Sequence, residues 1–95
     1  MKNKKAYKTY FILASEVNAV KIGKAIYPKE RLEELQTGNP TGTPYRILGE
    51  INKDIESHLH KTFKLYKIRG KWFRFEGVLK QYIEERLGII RYAKG

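Results

Sequence analysis

Four residues are of types that could together hydrolyse a phosphodiester: Tyr10, Lys21, Arg31 and Glu56. A phenol or an amine can accept a proton, a guanidinium can stabilise charge on a phosphate, and a carboxylate can bind a divalent cation. These are a base, an anion stabiliser and a metal site, the parts that phosphodiester hydrolysis needs. None is specific alone, so the chemistry depends on whether the fold brings them together.

Two of these residues lie on predicted strands, residues 7–13 and 19–24, which a turn at residues 15–18 connects. A hairpin loop with an even number of residues groups the apolar positions on one face: Phe11, Leu13, Val20 and Ile22. Tyr10 then lies on the opposite face with Lys21 and Gly23, and Ile12 shares that face. A loop of odd length would place Lys21 among the apolar residues, so we expect the even one.

Arg31 lies on a predicted helix that begins at Pro28, where a missing N–H is harmless, and ends at Gly38. It precedes Leu35 by one turn, along or near the apolar stripe, where an unpaired guanidinium is costly. A phosphate would serve as its partner. The alternative is an arginine whose stem covers the edge of the core.

Glu56 lies on a second predicted helix, over about residues 53–66, whose inward candidates are Ile55, Leu59, Thr62 and Phe63. Glu56 and His60 share the stripe with Leu59 and Phe63. A carboxylate there could hold Mg²⁺. His60 could orient that carboxylate or contact a phosphate, and the alternative is a hydrogen-bonded histidine at the core edge.

The remaining pattern predicts a third strand at residues 45–51, an extended segment at 71–75 after Gly70, and a final helix at 78–87 before Gly88. The order β-β-α-β-α-(β)-α predicts one α+β domain over residues 1–95, with its core at about residues 7–87.

Twenty Lys and Arg against ten Asp and Glu give a formal charge of +10, which favours a polyanionic partner, nucleic acid before a membrane surface. The alternative is that this charge serves solubility. The chain has no cysteine, which excludes disulfides and thiolate zinc sites. It has no signal peptide and no apolar run of membrane-spanning length, so we expect a cytoplasmic protein without a membrane partner.

The spacing of these residues resembles that of GIY-YIG nucleases: Tyr10, then Lys21-Ile22-Gly23 eleven positions later, then Arg31 ten positions further on. The two signature triplets here read Lys8-Thr9-Tyr10 and Lys21-Ile22-Gly23. Two further stretches are similar to a divergent, phage-associated branch: Leu35-Gln36-Thr37-Gly38-Asn39-Pro40 and Gly70-Lys71-Trp72-Phe73. The resemblance spans roughly residues 7–83.

This resemblance implies a small three-stranded antiparallel sheet flanked by helices (β-β-α-β-α-α), with the active site across the sheet face. Tyr10 would be the general base or its hydrogen-bonding partner, Arg31 would stabilise the phosphate, and Glu56 would bind one Mg²⁺ or Mn²⁺ ion. Lys21 stands where the main family has a tyrosine. It could be a base only if burial or neighbouring cations lowered its pKa, and otherwise it is a phosphate contact. The late asparagine of the family is missing, since no Asn follows Asn52.

The sequence thus predicts a metal-dependent DNA endonuclease of low intrinsic sequence specificity. The alternative is a catalytically weak or inactive DNA- or RNA-binding module of the same fold. We expect catalytic roles for Tyr10, Lys21, Arg31 and His60, and metal binding by Glu56. The expected nucleic-acid contacts are Lys21, Lys24, Arg31, Arg69 and Lys71. A partner protein or a homodimer would supply specificity, and a phage-encoded chain would act in the host cytoplasm.

Overall fold

The chain folds as one antiparallel sheet with helices on both faces. A computed structural model describes residues 6–40, 42 and 44–89. In chain order the strands and helices are β1 Lys8–Ala14, β2 Ala19–Ala25, α1 Pro28–Thr37, β3 Tyr45–Ile51, α2 Glu56–Thr62, β4 Lys67–Arg69, β5 Trp72–Arg74 and α3 Gly77–Leu87. No helix among the described residues is long and apolar enough to cross a bilayer.

The sheet has five strands in the order β3-β1-β2-β5-β4. The α+β class is confirmed, but the expected three-stranded sheet is wrong. The two additional strands have three residues each and form a hairpin around Gly70, whose positive φ of 56° suits glycine. β5 lies within the extended segment predicted at residues 71–75, whereas β4 was missed because the helical pattern was extended through residue 66. The helix instead ends at Thr62, which is exposed rather than inward, and a single 3-10 turn, Lys64–Tyr66, leads into β4.

The pairing of β1 with β2 confirms the even hairpin loop. Ala14 pairs with Ala19, so the loop comprises the four residues 15–18. Tyr10 is paired with Gly23, and Ile12 with Lys21, which places all four on one face as expected. We call this the Tyr10 face.

Two separate cores lie on the two faces of the sheet. The larger joins the sheet to α2 and α3 and includes Phe11, Val20, Ile22, Leu59, Phe73, Leu79 and Ile83. The smaller lies on the Tyr10 face, where Leu32 and Leu35 of α1 pack on Tyr10 and Ile12. Since α1 packs mainly against β3, it makes little contact with β5. The part of the Tyr10 face formed by β5 is therefore left open by α1.

Candidate active site

The Tyr10 side chain lies across β2 at the centre of the sheet and is only 2% exposed. Its phenol occupies the space above Gly23, where a Cβ atom would collide with the Tyr10 hydroxyl. Burial raises the pKa of Tyr10, the Arg31 cation opposes that rise, and the carboxylates of Glu56 and Glu34 add to it. Tyr10 is therefore a neutral hydrogen-bonding group at neutral pH.

Lys21 lies on the same face and is half-buried. Its Nζ atom is 5.9 Å from the ring centre of Trp72, its cross-strand neighbour on β5. Burial lowers the pKa of Lys21, the Lys71 and Arg31 cations lower it further, and Glu56 opposes them. These are the conditions under which a lysine can act as a base.

Glu56 is the first residue of α2 and is only 8% exposed, as its predicted inward position required. Its approach to the sheet is fixed by Thr9. The Thr9 Oγ1 atom accepts a 2.8 Å hydrogen bond from the Ile55 N–H and donates a 2.6 Å bond to the Lys53 carbonyl. Sequence reasoning gave Thr9 no role. A polar residue beside Tyr10 on a central strand was the signal that could have identified it.

The Glu56 carboxylate faces a cation. Its Oε2 atom lies 2.7 Å from Lys71 Nζ, and the side chains of Glu56 and Lys71 are 11% and 47% exposed. Oε2 is buried, yet it has no hydrogen bond of acceptable geometry with the described residues. The contact is a close ion pair, so another cation at Oε2 would have to take the place of the Lys71 ammonium.

Arg31 is more exposed than the helical pattern predicted, because the stripe facing the sheet is filled by Leu32 and Leu35. Its Nη1 atom lies 2.9 Å from Glu34 Oε1 on the same helix. The Arg31 charge nevertheless acts on both Tyr10 and Lys21. Its guanidinium can therefore serve the Tyr10 face by exchanging Glu34 for a phosphate.

His60 is a hydrogen-bonded histidine at the edge of the core, which was the alternative to contact with Glu56 or a phosphate. Its Nε2 atom lies 2.8 Å from the Ile22 carbonyl oxygen, and because a carbonyl only accepts, Nε2 carries the proton. The ring also packs against Phe73, with centroids 4.9 Å apart. The Ile22 N–H bonds to the Lys71 carbonyl on the same edge of β2. His60 thus holds α2 against β2 at the position where β5 begins.

The other basic residues predicted to contact nucleic acid lie around this group. Lys24 Nζ is 3.3 Å from Asp54 Oδ2 and lies over the Tyr7 ring. Arg69 is exposed on β4, opposite Trp72. Arg31 and Glu56 affect the pKa of both Tyr10 and Lys21, and Lys71 affects the pKa of Lys21. Lys24 and Arg69 have no resolved effect on either pKa.

The residues around Glu56 limit the kind of metal site that could form there. No group of three or more His, Asp and Glu side chains that could hold a metal is found within residues 6–40, 42 and 44–89. An ion at Glu56 would therefore have at most one further His, Asp or Glu ligand from the described residues. Mg²⁺ is commonly bound by one or two carboxylates with water completing its shell, so a buried carboxylate whose ion-pair partner Lys71 is partly exposed and able to move away fits it.

Comparisons with known proteins give one match. No curated protein and no solved structure is significantly similar to the chain. The family model of the T5orf172 domain, a phage-associated domain, matches residues 6–91, which include every residue of the candidate site. The chain therefore belongs to the T5orf172 domain family.

Proposed function

We propose that this chain is a metal-dependent DNA endonuclease related to the GIY-YIG nucleases. The observation that carries the proposal is the buried Glu56 carboxylate, whose charge acts on the pKa of both Tyr10 and Lys21. A carboxylate buried next to a phosphate-binding surface repels its ligand unless a cation joins them. Membership of a phage-associated family and the spacing of the two triplets support the same proposal.

Glu56 would hold Mg²⁺ or Mn²⁺. The ion would supply charge stabilisation for the oxygen that leaves phosphorus. Lys71 has to release Glu56 for this to occur, and its 47% exposed side chain is free to turn toward a phosphate.

The chain's own residues would act on the phosphate and the attacking water. The phosphate binds to Arg31, whose forked guanidinium neutralises its charge. Lys21, with its lowered pKa, takes the proton as water attacks phosphorus and the P–O bond breaks. Tyr10, kept protonated by burial, hydrogen-bonds to the water or the phosphate rather than acting as a phenolate.

One observation favours the alternative, a DNA- or RNA-binding module without catalysis. Lys71 neutralises Glu56, so the acid need not repel a bound phosphate. Phosphate contacts from the remaining cations of this face would then supply affinity without sequence information.

Nicking of supercoiled plasmid separates the two functions. We expect nicking with Mg²⁺ or Mn²⁺, none with EDTA, and loss of at least about 100-fold in rate for Glu56→Gln, the scale of removing one group that stabilises transition-state charge. Glu33→Gln, which makes the same change on the exposed side of α1, is the matched control. If wild type and Glu56→Gln bind plasmid equally and neither cuts it, the binding module replaces the nuclease.

A further inference from the structure

A concavity on the Tyr10 face, of about 390 Å³, is lined mostly by apolar groups. Ala14 and Ala19, paired across β1 and β2, give it a floor without bulky side chains. The rings of Tyr45 and Trp72 stand beside that floor, 5.6 Å apart between centroids and inclined by 49°. Ile68 of β4, 51% exposed, extends the apolar lining. We call this concavity the Trp72 groove. Its size falls within the range of small-ligand pockets, roughly 300–1,000 Å³.

Cations lie on two sides of the Trp72 ring. Lys21 Nζ is 5.9 Å from its centre, and Arg69 on β4 lies opposite Trp72 and lines the groove. A lipid chain would match the apolar lining but not the cations, and an acidic peptide would match the cations but not the aromatic lining. A nucleotide matches both, because a planar base is joined to an anionic phosphate. The chain's charge of +10 favours the same ligand.

We infer that the Trp72 groove binds an unpaired nucleobase, stacked on Trp72 with its phosphate directed toward Lys21. The inference deepens the proposed function and rests on it, because Lys21 belongs to both sites. Bases inside a duplex are stacked on their neighbours and are not available to a protein ring. The substrate class is therefore DNA with unpaired nucleotides beside the cut, such as a flap, a single-stranded end or a bubble.

The sequence contains one tryptophan, so intrinsic tryptophan fluorescence reports on Trp72 alone. The Glu56→Gln variant in EDTA would be titrated with a thymidine oligonucleotide, with an abasic oligomer of the same length, and with a blunt duplex. We expect clear quenching by the thymidine oligomer only, while fluorescence anisotropy of labelled DNA shows that all three bind. Binding of the thymidine oligomer without quenching would overturn the inference.

Substitutions at Trp72 test the same contact by affinity. Trp72→Leu should weaken binding of the thymidine oligomer by about 5-fold or more, as expected for loss of one stacked base, and change duplex binding by less than about 2-fold. Trp72→Phe keeps an aromatic ring and should retain most of the affinity. Leu65→Ala, which shortens an exposed apolar side chain outside the groove, is the control. Equal weakening for both kinds of DNA would overturn the inference, once circular dichroism shows that Trp72→Leu is folded.

Plasmid nicking distinguishes failure of this inference from failure of the nuclease proposal. Quenching without metal-dependent nicking leaves a base-binding module. If nicking depends on Glu56 but the thymidine oligonucleotide does not quench Trp72 fluorescence, the chain is a nuclease without a base-binding site in the Trp72 groove.

Discussion

The Nζ atom of Lys71 lies 2.7 Å from the Oε2 atom of Glu56, so the carboxylate proposed to bind metal is already paired with a cation. Metal and ammonium then compete for one oxygen. In the proposed mechanism, DNA binding would promote metal binding, because a phosphate that attracts Lys71 would free Glu56 for the metal.

Lys71→Met removes the competing cation and should strengthen metal binding. A partly exposed ion pair contributes roughly 0.2–1 kcal/mol, which corresponds to about a 1.5- to 5-fold lower dissociation constant for Mn²⁺. Titration of Mn²⁺ without DNA, followed by electron paramagnetic resonance, measures it. Lys64→Met removes an exposed cation from the 3-10 turn and should leave the constant unchanged. A weaker Mn²⁺ affinity for Lys71→Met would show that the ammonium does not compete.

Gly23→Ala should displace the Tyr10 phenol, since the new methyl group collides with its hydroxyl. Both residues are in the sheet centre, so relief requires a shift of the ring or of β2. We expect nicking to fall by at least about 10-fold, the scale of losing a positioned hydrogen-bonding group. Tyr10→Phe, which removes the hydroxyl without the collision, gives the comparison rate. Normal nicking by a stably folded Gly23→Ala would mean that the phenol position is not required.

Lys21→Arg distinguishes a base from a phosphate contact. Arginine keeps the positive charge but does not lose its proton. If Lys21 accepts the proton from water, Lys21→Arg should nick at least about 100-fold more slowly while binding DNA as wild type does. Single-turnover nicking and anisotropy measure the two quantities. Nearly normal nicking would assign Lys21 to the phosphate instead.

The difference in stability between wild type and a variant with a neutral residue at position 21 should depend on pH. The pKa of Lys21 is lower in the folded chain than its usual 10.5, so the folded state disfavours the charged form. In the window between the folded pKa and 10.5, the unfolded chain binds more protons, and wild-type stability rises with pH. Lys21→Met should therefore have a higher Tm than wild type at pH 7, and the difference should shrink toward pH 10.5. Thermal unfolding of both proteins between pH 7 and 10 measures it, and an increment that grows with pH would contradict the shift.

Thr9→Val should destabilise the fold by about 1–3 kcal/mol, because the Ile55 N–H and the Lys53 carbonyl both lose their hydrogen-bond partner. Urea unfolding measures the change. Thr62→Val, an exposed threonine that bonds to the His58 carbonyl within α2, should cost less than about 0.5 kcal/mol. Equal effects would show that Thr9 does not specifically hold the start of α2.

The positions of Tyr10 and Lys21 were predictable because they depend on local alternation along two neighbouring strands. The inward position of Glu56 followed from helical spacing in the same way. The extended segment that contains β5 was predicted, but β4 and its pairing with β5 were not, since a three-residue strand carries too few positions to show a period. The pairing of Lys71 with Glu56 could not be predicted from the sequence, because it depends on where the start of β5 lies relative to α2.

The four-residue loop between β1 and β2 determines on which face Lys21 lies. Exposed hairpin loops normally tolerate insertions. Here Ser15 is exposed and lies outside both the candidate active site and the Trp72 groove, so its identity is weakly constrained. Adding one residue to the loop would nevertheless reverse every side chain of β2 relative to β1. Asn18 is constrained, because its backbone is left-handed with φ of 51° and its side-chain amide donates a 3.1 Å hydrogen bond to the Phe75 carbonyl. In related chains we therefore expect the type of residue to vary at position 15 more than at position 18, while the length of the segment changes by pairs of residues, except where a β-bulge restores the parity. A single-residue insertion that keeps plasmid nicking without such a bulge would contradict this evolutionary constraint.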